Sequence, residues 1–393
     1  MNQKIKEIIA REEQAMIDLR RHMHQHPELS MEEFETTKLI AKELDKLGVT
    51  YRLTDPTGII ADIKGGKPGK TVLLRADMDA LPIYELNRDL TYCSQNDGVM
   101  HACGHDAHTS MLLTAVKALV EIQDELEGNV RIIFQPSEEN AKGAKLMVEQ
   151  GAADGVDQAF GIHIWSGVPS HHFECPEGEM MAAADLFKVT FTGKGGHGSR
   201  PHEAVDALVM ASSFILDAQA IVSRELSPME SAVVTFGLME AGDRFNVIAQ
   251  NAVIEGTVRT FNEETRTKVE QALARYAQGT AAAYRGEGVL EYTRGTEPVV
   301  NDPESARHVR QIIQENFGEE AFDPATKSTV GEDFSYFYLE NDIPGVFVFL
   351  GTGNEEAGST FEHHHAQFNI DEETLKNGAF LYAQYAYEYL KNN

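Results

Sequence analysis

The chain has 393 residues, with 62 acidic against 34 basic side chains and a formal net charge of −28. So acidic a surface repels phosphate backbones and anionic lipid, which argues against nucleic-acid and membrane-surface partners and leaves a small molecule, a peptide or another protein. The length exceeds one ordinary core and predicts two domains, no unbroken apolar run reaches the roughly eighteen residues of a membrane span, and three cysteines do not make a disulfide framework.

The opening segment, MNQKIKEIIAREEQAMIDLRRHMHQHPELS, is charged throughout and lacks the apolar core of a signal peptide. With reduced thiols, this reads as a cytoplasmic protein. Ile5, Ile8, Ile9, Met16 and Leu19 recur at helical spacing, and the helix should end near His26 and Pro27. MEEFETTKLIAKELDKLG reads as a second helix closed by Gly48. Short apolar runs at 72–74, 130–134, 159–165 and 346–350 then alternate with helical patterns. That is the signature of a mostly parallel sheet covered by helices on both faces.

The middle of the chain differs. FKVTFTG alternates with period two, PHEAVDALVMASSFILDAQAIVSRE is helical, and SAVVTFGLMEAG and AQNAVIEGTVRTF are strand-like. A helix capped by Asn262 and the strand GVLEYTRG complete a βαββαβ order, a ferredoxin-like unit. The expected fold class is α/β. A larger discontinuous domain would hold 1–183 and 297–393, with an α+β unit inserted at 184–296.

Ligands of open α/β sheets gather beyond the carboxyl ends of the strands. There the sequence places RADMD with Asp77 and Asp79, QPSEE with Glu138 and Glu139, His163 on its own run, and HACGHDAHT with Cys103 and His105. A further cluster, His363-His364-His365, lies near the C-terminus. Each alone has an ordinary reading as a core histidine, a solvated acidic face or a buried thiol. Together they are the donor set of a divalent-metal site. Adjacent residues leaving a strand point in opposite directions, so of Glu138 and Glu139 one should bind metal and the other face the attacking water as a general base. No G-x-S-x-G elbow suggests a serine hydrolase.

RADMDALP, MHACGHDAHTSMLL, QPSEE, GIHIW, GKGGHGSRPHEAVDAL, FNVIAQNAVIEGTVRTF and GEDFSYF, taken in this order along almost the whole chain, resemble the aminoacylase-type dinuclear metallopeptidases. The branch in question contains hippurate hydrolase, auxin-conjugate hydrolases and N-acetyldiaminopimelate deacetylase. The resemblance implies two divalent metal ions per subunit, zinc, manganese, cobalt or nickel. Cys103, in a bridging role, His105, Glu139 and His163 match ligand positions. The fifth ligand is implied at His364, four residues before Phe368, although Ala366 stands where the family usually has proline. Glu138 matches the general base and Asp79 an aspartate that orients a ligand, with Asp77 in support. The inserted unit resembles a lid and dimerisation domain. Within it, His197 matches a residue reaching the partner subunit's site to steady the oxyanion, and Asn246 and Arg259 match positions for the substrate carboxylate.

The implied enzyme is a metal-dependent amidohydrolase cleaving an N-acyl amino acid, such as an N-acetyl amino acid, or a small peptide. It is expected to act as a homodimer or homotetramer. A metal-binding protein without catalysis and a redox sensor built on Cys103 are the competing classes. Glu138 argues against the first, and the lack of a nearby second cysteine against the other. His101 and His108 read as groups behind the ligands, His22, His24 and His26 as the end of a helix, and Cys93 and Cys175 as ordinary thiols. Glu332 and Asp333 border the site.

Overall fold

The computed structural model describes residues 1–325 and 327–393. In chain order the elements begin with α1 (Asn2–Gln25), α2 (Phe34–Leu47), β1 (Thr50–Leu53), β2 (Ile59–Lys64) and β3 (Lys67–Asp77). They continue with α3 (His105–Glu121), β4 (Glu127–Gln135), α4 (Gly143–Glu149), β5 (Gln158–Pro169), β6 (Phe173–Glu174) and β7 (Gly178–Met181). Next come β8 (Ala183–Thr192), β9 (Gly196–His197), α5 (Ala207–Ala220), β10 (Ala232–Ala241), β11 (Val247–Ile248) and β12 (Asn251–Thr260). The chain closes with α6 (Glu263–Ala283), β13 (Glu287–Thr296), β14 (Val299–Asn301), α7 (Pro303–Phe317), α8 (Tyr336–Leu339), β15 (Gly345–Gly353) and α9 (Leu375–Asn392).

The larger of two compact units holds Met1–Met180, the stretch from Val300 and Asp333–Asn393. Its seven-stranded sheet has the order β1-β2-β4-β3-β5-β15-β6. The central strands β4, β3, β5 and β15 are parallel neighbours, and they carry the four apolar runs read from the sequence. The antiparallel edge strands add β1, β2 and β6, which the sequence does not announce. Phe160 of β5 stacks on Tyr385 of α9 at 4.3 Å, whereas a Cβ on the adjacent Gly161 would meet Phe347 and Phe334. Neighbouring positions on one strand thus feed packing on opposite faces, as a sheet covered on both sides requires. At the end of α2, Gly48 adopts φ 68°, and its amide returns to the Leu44 and Asp45 carbonyls.

The smaller unit holds Met181–Val299 and also Lys327–Glu332. The sequence reading of 184–296 omits this second segment because it pairs with the unit's first residues only in space. Met181 bridges Ser328, and the Ala182 amide donates to the Ser328 carbonyl at 3.1 Å. The four-stranded antiparallel sheet runs β10-β12-β8-β13 and is backed by α5 and α6 around a separate core with Val189, Phe191, Phe214 and Leu273. Residues Ala207–Glu225 have the length and apolarity of a spanning helix by composition alone, although Ser212, Ser213 and Asp217 interrupt the apolar run. One face of this helix, with Met210, Ala211, Phe214 and Ala218, is buried in that core.

Candidate active site

The chain leaves β3 at Asp77, β4 at Gln135 and passes through β5 at His163, so the parallel register of these strands delivers three carboxyl-terminal segments side by side. At the start of α3, Cys103 and His105 flank Gly104, which has φ 92° and where a Cβ would lie 2.2 Å from the Ile164 side chain. The loop between α3 and the preceding chain therefore turns where only glycine fits.

Overlapping groups of donor atoms result, each with all its atoms within 4.8 Å of one another, among them Cys103, His105 and His163; Cys103, Glu139 and His364; and His105, Glu138 and Glu139. Cys103 belongs to two of them and so lies between the two sides. The Cys103 Sγ is 3.5 Å from His163 Nε2, and His364 Nε2 is 3.3 Å from Glu139 Oε2. Both Glu138 Oε2 and Glu139 Oε1 lie 3.9 Å from His105 Nε2. The expected divergence of the two glutamates does not hold. Strand geometry ends at Gln135, and Ser137 and Ala141 turn through the left-handed region at φ 53° and 55°, so alternation no longer governs where Glu138 and Glu139 point.

Two of the ligand-type imidazoles, those of His105 and His163, have one nitrogen committed. His105 Nδ1 is 3.2 Å from Asp79 Oδ1, and His163 Nδ1 donates to the Ile164 carbonyl at 2.5 Å. This leaves Nε2 as the inward atom in both, the arrangement in which a metal-binding histidine is oriented from behind. His105 Nε2 and Glu139 Oε1 are buried and have no hydrogen-bond partner among the described residues. Buried polar atoms rarely stay unpaired without a ligand to meet them.

Asp79 does more than hold His105. It also accepts from Ser30 Oγ at 2.7 Å and from the amides of Glu138 and Glu139, each at 3.1 Å. His108 is tied at both ends, with Nδ1 2.6 Å from Asp77 Oδ1 and Nε2 accepting the Ile164 amide at 2.9 Å, so it stands behind the donor set. Asp77 in turn is held by Arg75, whose guanidinium also reaches Asp333, and Asp333 accepts from Gln135 Nε2 at 2.7 Å. The sequence marks Asp333 only as bordering the site. Its burial and its partners, far away in the chain, make it part of the scaffold.

The three C-terminal histidines occupy different environments. His363 packs on Trp165 and takes the Ser166 amide on Nε2 at 3.3 Å, and burial drives its pKa down to about 3. His365 stacks on Phe361 and accepts the Gln367 amide. His364 alone of the three faces Glu139.

The electrostatics have one sign. Burial together with Glu139, Glu138 and Asp77 pushes the Cys103 thiol well above the usual thiol range. Burial alone would lower His105, but Asp77, Asp79 and Glu139 outweigh it and raise it to about 10. Burial beside His108 and His363 keeps His163 well below the usual imidazole value. Excess buried negative charge, a thiol that needs a cation to ionise and two unpartnered donors fit a divalent-metal centre.

In the smaller unit, His197 pairs with Val247 across β9 and β11, and Gly198 donates to the Asn246 carbonyl at 2.9 Å, so His197 and Asn246 are neighbours. His197 Nδ1 accepts the Ser199 amide at 3.2 Å, which leaves the ring proton on Nε2. Arg259 is half-buried on β12, donating to Thr257 and, at 3.0 Å, to the Val258 carbonyl. Of the other histidines, His24 is buried against Asp106 and Glu85 at 2.8 and 3.3 Å, whereas His22 and His26 pack on each other near the surface.

The model of peptidase family M20/M25/M40 matches residues 73–388. The chain is 43% identical over 372 residues to the N-acetyl-L-cysteine deacetylase of Bacillus subtilis, covering 94% of this chain and 87% of that protein. It is 38% identical over 392 residues to thermostable carboxypeptidase 1 of Saccharolobus solfataricus, covering 98% of each. Among solved structures, a dinuclear metal-binding peptidase from Bacillus subtilis superimposes with a TM-score of 0.86 at 35% identity, covering 97% of this chain and 99% of that one.

Proposed function

The chain belongs to the M20/M25/M40 peptidase family, a metal-dependent amidohydrolase, and from that premise we propose that it hydrolyses N-acyl amino acids, N-acetyl amino acids among them, at a two-metal centre. Cys103, His105, Glu139, His163 and His364 would hold the ions. The observation that carries this reading is the pair of buried, unpartnered donors, His105 Nε2 and Glu139 Oε1, facing one another at 3.9 Å. A mixed thiol, imidazole and carboxylate set suits zinc by its softness and manganese, cobalt or nickel by its oxygens and nitrogens.

Bound divalent cations supply Lewis-acid polarisation of an amide carbonyl and acidify water. This chain's residues do the rest. Glu138, on the same side as His105, takes the proton of the attacking water on its carboxylate and delivers it to the departing nitrogen. His197, protonated on Nε2, is a donor for the oxygen that gains charge as the carbonyl becomes tetrahedral. Asn246 beside it, and the Arg259 guanidinium, are suited to a substrate carboxylate.

A homodimer through the smaller unit is supported by its outer face. Leu216 of α5 is 73% exposed and Leu208, Val209 and Val222 are also exposed, next to the free edge of β10 with Val233 and Leu238. An exposed apolar face of this kind beside an unpaired strand edge calls for a second copy. The proposed setting is the cytoplasm, with no nucleic-acid or membrane partner. Similarity to a carboxypeptidase over nearly the whole chain favours a second reading, small-peptide hydrolysis by the same mechanism.

The test is metal content and steady-state turnover of one preparation against N-acetyl amino acids, hippurate, N-acetyldiaminopimelate and short peptides, with each candidate metal restored. Two ions per chain and turnover that falls about 100-fold or more in Glu138→Gln, with both ions kept, is the expected result. Unchanged turnover in that variant removes Glu138 as the base. No bound metal removes the whole reading.

A further inference from the structure

Glu33 is a fully buried carboxylate at the N-cap position of α2, yet it does not cap that helix. Glu28 performs that task, accepting the Glu35 amide at 3.1 Å and the Thr36 amide at 2.8 Å. Glu33 points inward instead. Its Oε2 accepts from Thr57 Oγ1 at 2.7 Å, and its Oε1 accepts the Ser137 amide at 2.8 Å across 104 residues of sequence. Both of these partners donate to it.

That last bond completes a series. Ser137, Glu138 and Glu139 are consecutive, and the amide of each is held by a buried carboxylate, Glu33 for the first and Asp79 for the other two. Asp79 is itself held by Ser30 Oγ, from the same segment as Glu33. Ser137 needs this grip because it is not glycine and sits at φ 53°, a left-handed conformation that a residue with a Cβ holds only where its surroundings impose it. The loop is closed behind by the Gly143 amide on the Ser137 carbonyl at 3.1 Å, and a Cβ on Gly143 would lie 1.5 Å from the Pro136 oxygen.

We propose that Glu33 is a positioning residue that sets the direction in which Glu138 and Glu139 leave the Pro136–Ser137 turn, and so governs both metal retention and turnover. The inference rests on the roles proposed above for Glu138 and Glu139. Glu33 touches neither the donor atoms nor substrate. It acts through one backbone amide. An amide group in its place can keep an oxygen on the Ser137 amide and turn its NH2 to the Thr57 hydroxyl, which rotates to accept, so only a side chain without an acceptor at that place removes the Ser137 contact.

The test compares the full-length parent with Glu33→Met, Glu33→Asp and Thr57→Val. Cobalt is titrated into metal-stripped protein against a competing chelator and read by its visible spectrum, and kcat and KM are measured separately on the substrate that the parent turns over best. Glu33→Met, which offers the Ser137 amide no acceptor, is expected to weaken retention of one cobalt equivalent and to lower kcat, each about 10- to 100-fold, with KM within threefold. Thr57→Val keeps the Ser137 contact and should lose several-fold in each. A folded Glu33→Met with cobalt affinity and kcat both within twofold of the parent overturns the proposal. Should Glu33→Met fail to fold, Glu33→Asp, one methylene shorter and so drawn off the Ser137 amide, decides in its place, and unchanged values there overturn the proposal. A parent that binds cobalt but hydrolyses nothing refutes the proposed substrate class alone, and the cobalt titration then decides on Glu33.

Discussion

Asp79→Asn is the substitution whose cost follows most directly from the geometry. Oδ1 of Asp79 faces His105 Nδ1 at 3.2 Å and the Glu138 amide at 3.1 Å, and Oδ2 faces Ser30 Oγ at 2.7 Å and the Glu139 amide at 3.1 Å. An asparagine must put its NH2 on one of these sides. On the Oδ1 side it meets two donors, and His105 can relieve one clash only by moving its proton to Nε2, the atom it needs for a ligand. On the Oδ2 side Ser30 can rotate its hydroxyl to accept, so the damage is confined to the Glu139 amide. The second arrangement therefore wins. Losing one hydrogen bond to a charged acceptor costs about 2 kcal/mol, which corresponds to roughly 30-fold in binding. The loss falls on the Glu139 side, so it should appear as weaker metal retention. Chelator competition at neutral pH measures it, with far-ultraviolet circular dichroism to confirm the fold. Ser30→Ala, which leaves both oxygens accepting, should lose less than Asp79→Asn. A folded Asp79→Asn that binds within threefold of the parent would refute this account of the site's scaffold.

A dimer in which His197 serves the other subunit's site predicts complementation. Glu138→Gln and His197→Ala are each nearly inactive alone, but mixed and reassembled in equal amounts they should recover about one quarter of parental turnover, because half the dimers carry one intact site. No recovery, with exchange verified by mass, places His197 at its own chain's site or at none. The pH dependence of stability tests the buried pair behind α3. Burial and Arg20 pull the His24 pKa down, but contacts with Asp106 and Glu85 prevail and raise it. A raised folded pKa gives stability that is complete below the unfolded value near 6.5 and lost as pH climbs through the folded one. His24→Gln should flatten the fall in Tm above pH 6.5, measured by calorimetry, and an unchanged alkaline limb would contradict the charged pair.

Legibility in the sequence tracks how local the cause is. The four buried strands were readable because being covered on both faces forces continuous apolar runs such as 130–134 and 346–350. The end of α2 was readable because a left-handed residue after a helix is usually glycine, and Gly48 is one. Strand β1 left no mark, since three of its four residues are exposed and it is fixed by pairing with β2. The donor residues could be singled out by type and by their place at strand ends, but which member of His363-His364-His365 faces Glu139 depends on the turn at His364, φ 65°, anchored by its amide on the Ala102 carbonyl at 2.8 Å. The same limit explains Glu33 and Ser137. Their contact spans 104 residues, and Ser137 takes a glycine-like conformation without being glycine, so neither partner announces the other. The donor atoms of this site, and the Asp79 carboxylate behind them, are thus written in local motifs, whereas the hold of Glu33 on the Ser137 amide joins two residues that no local pattern pairs.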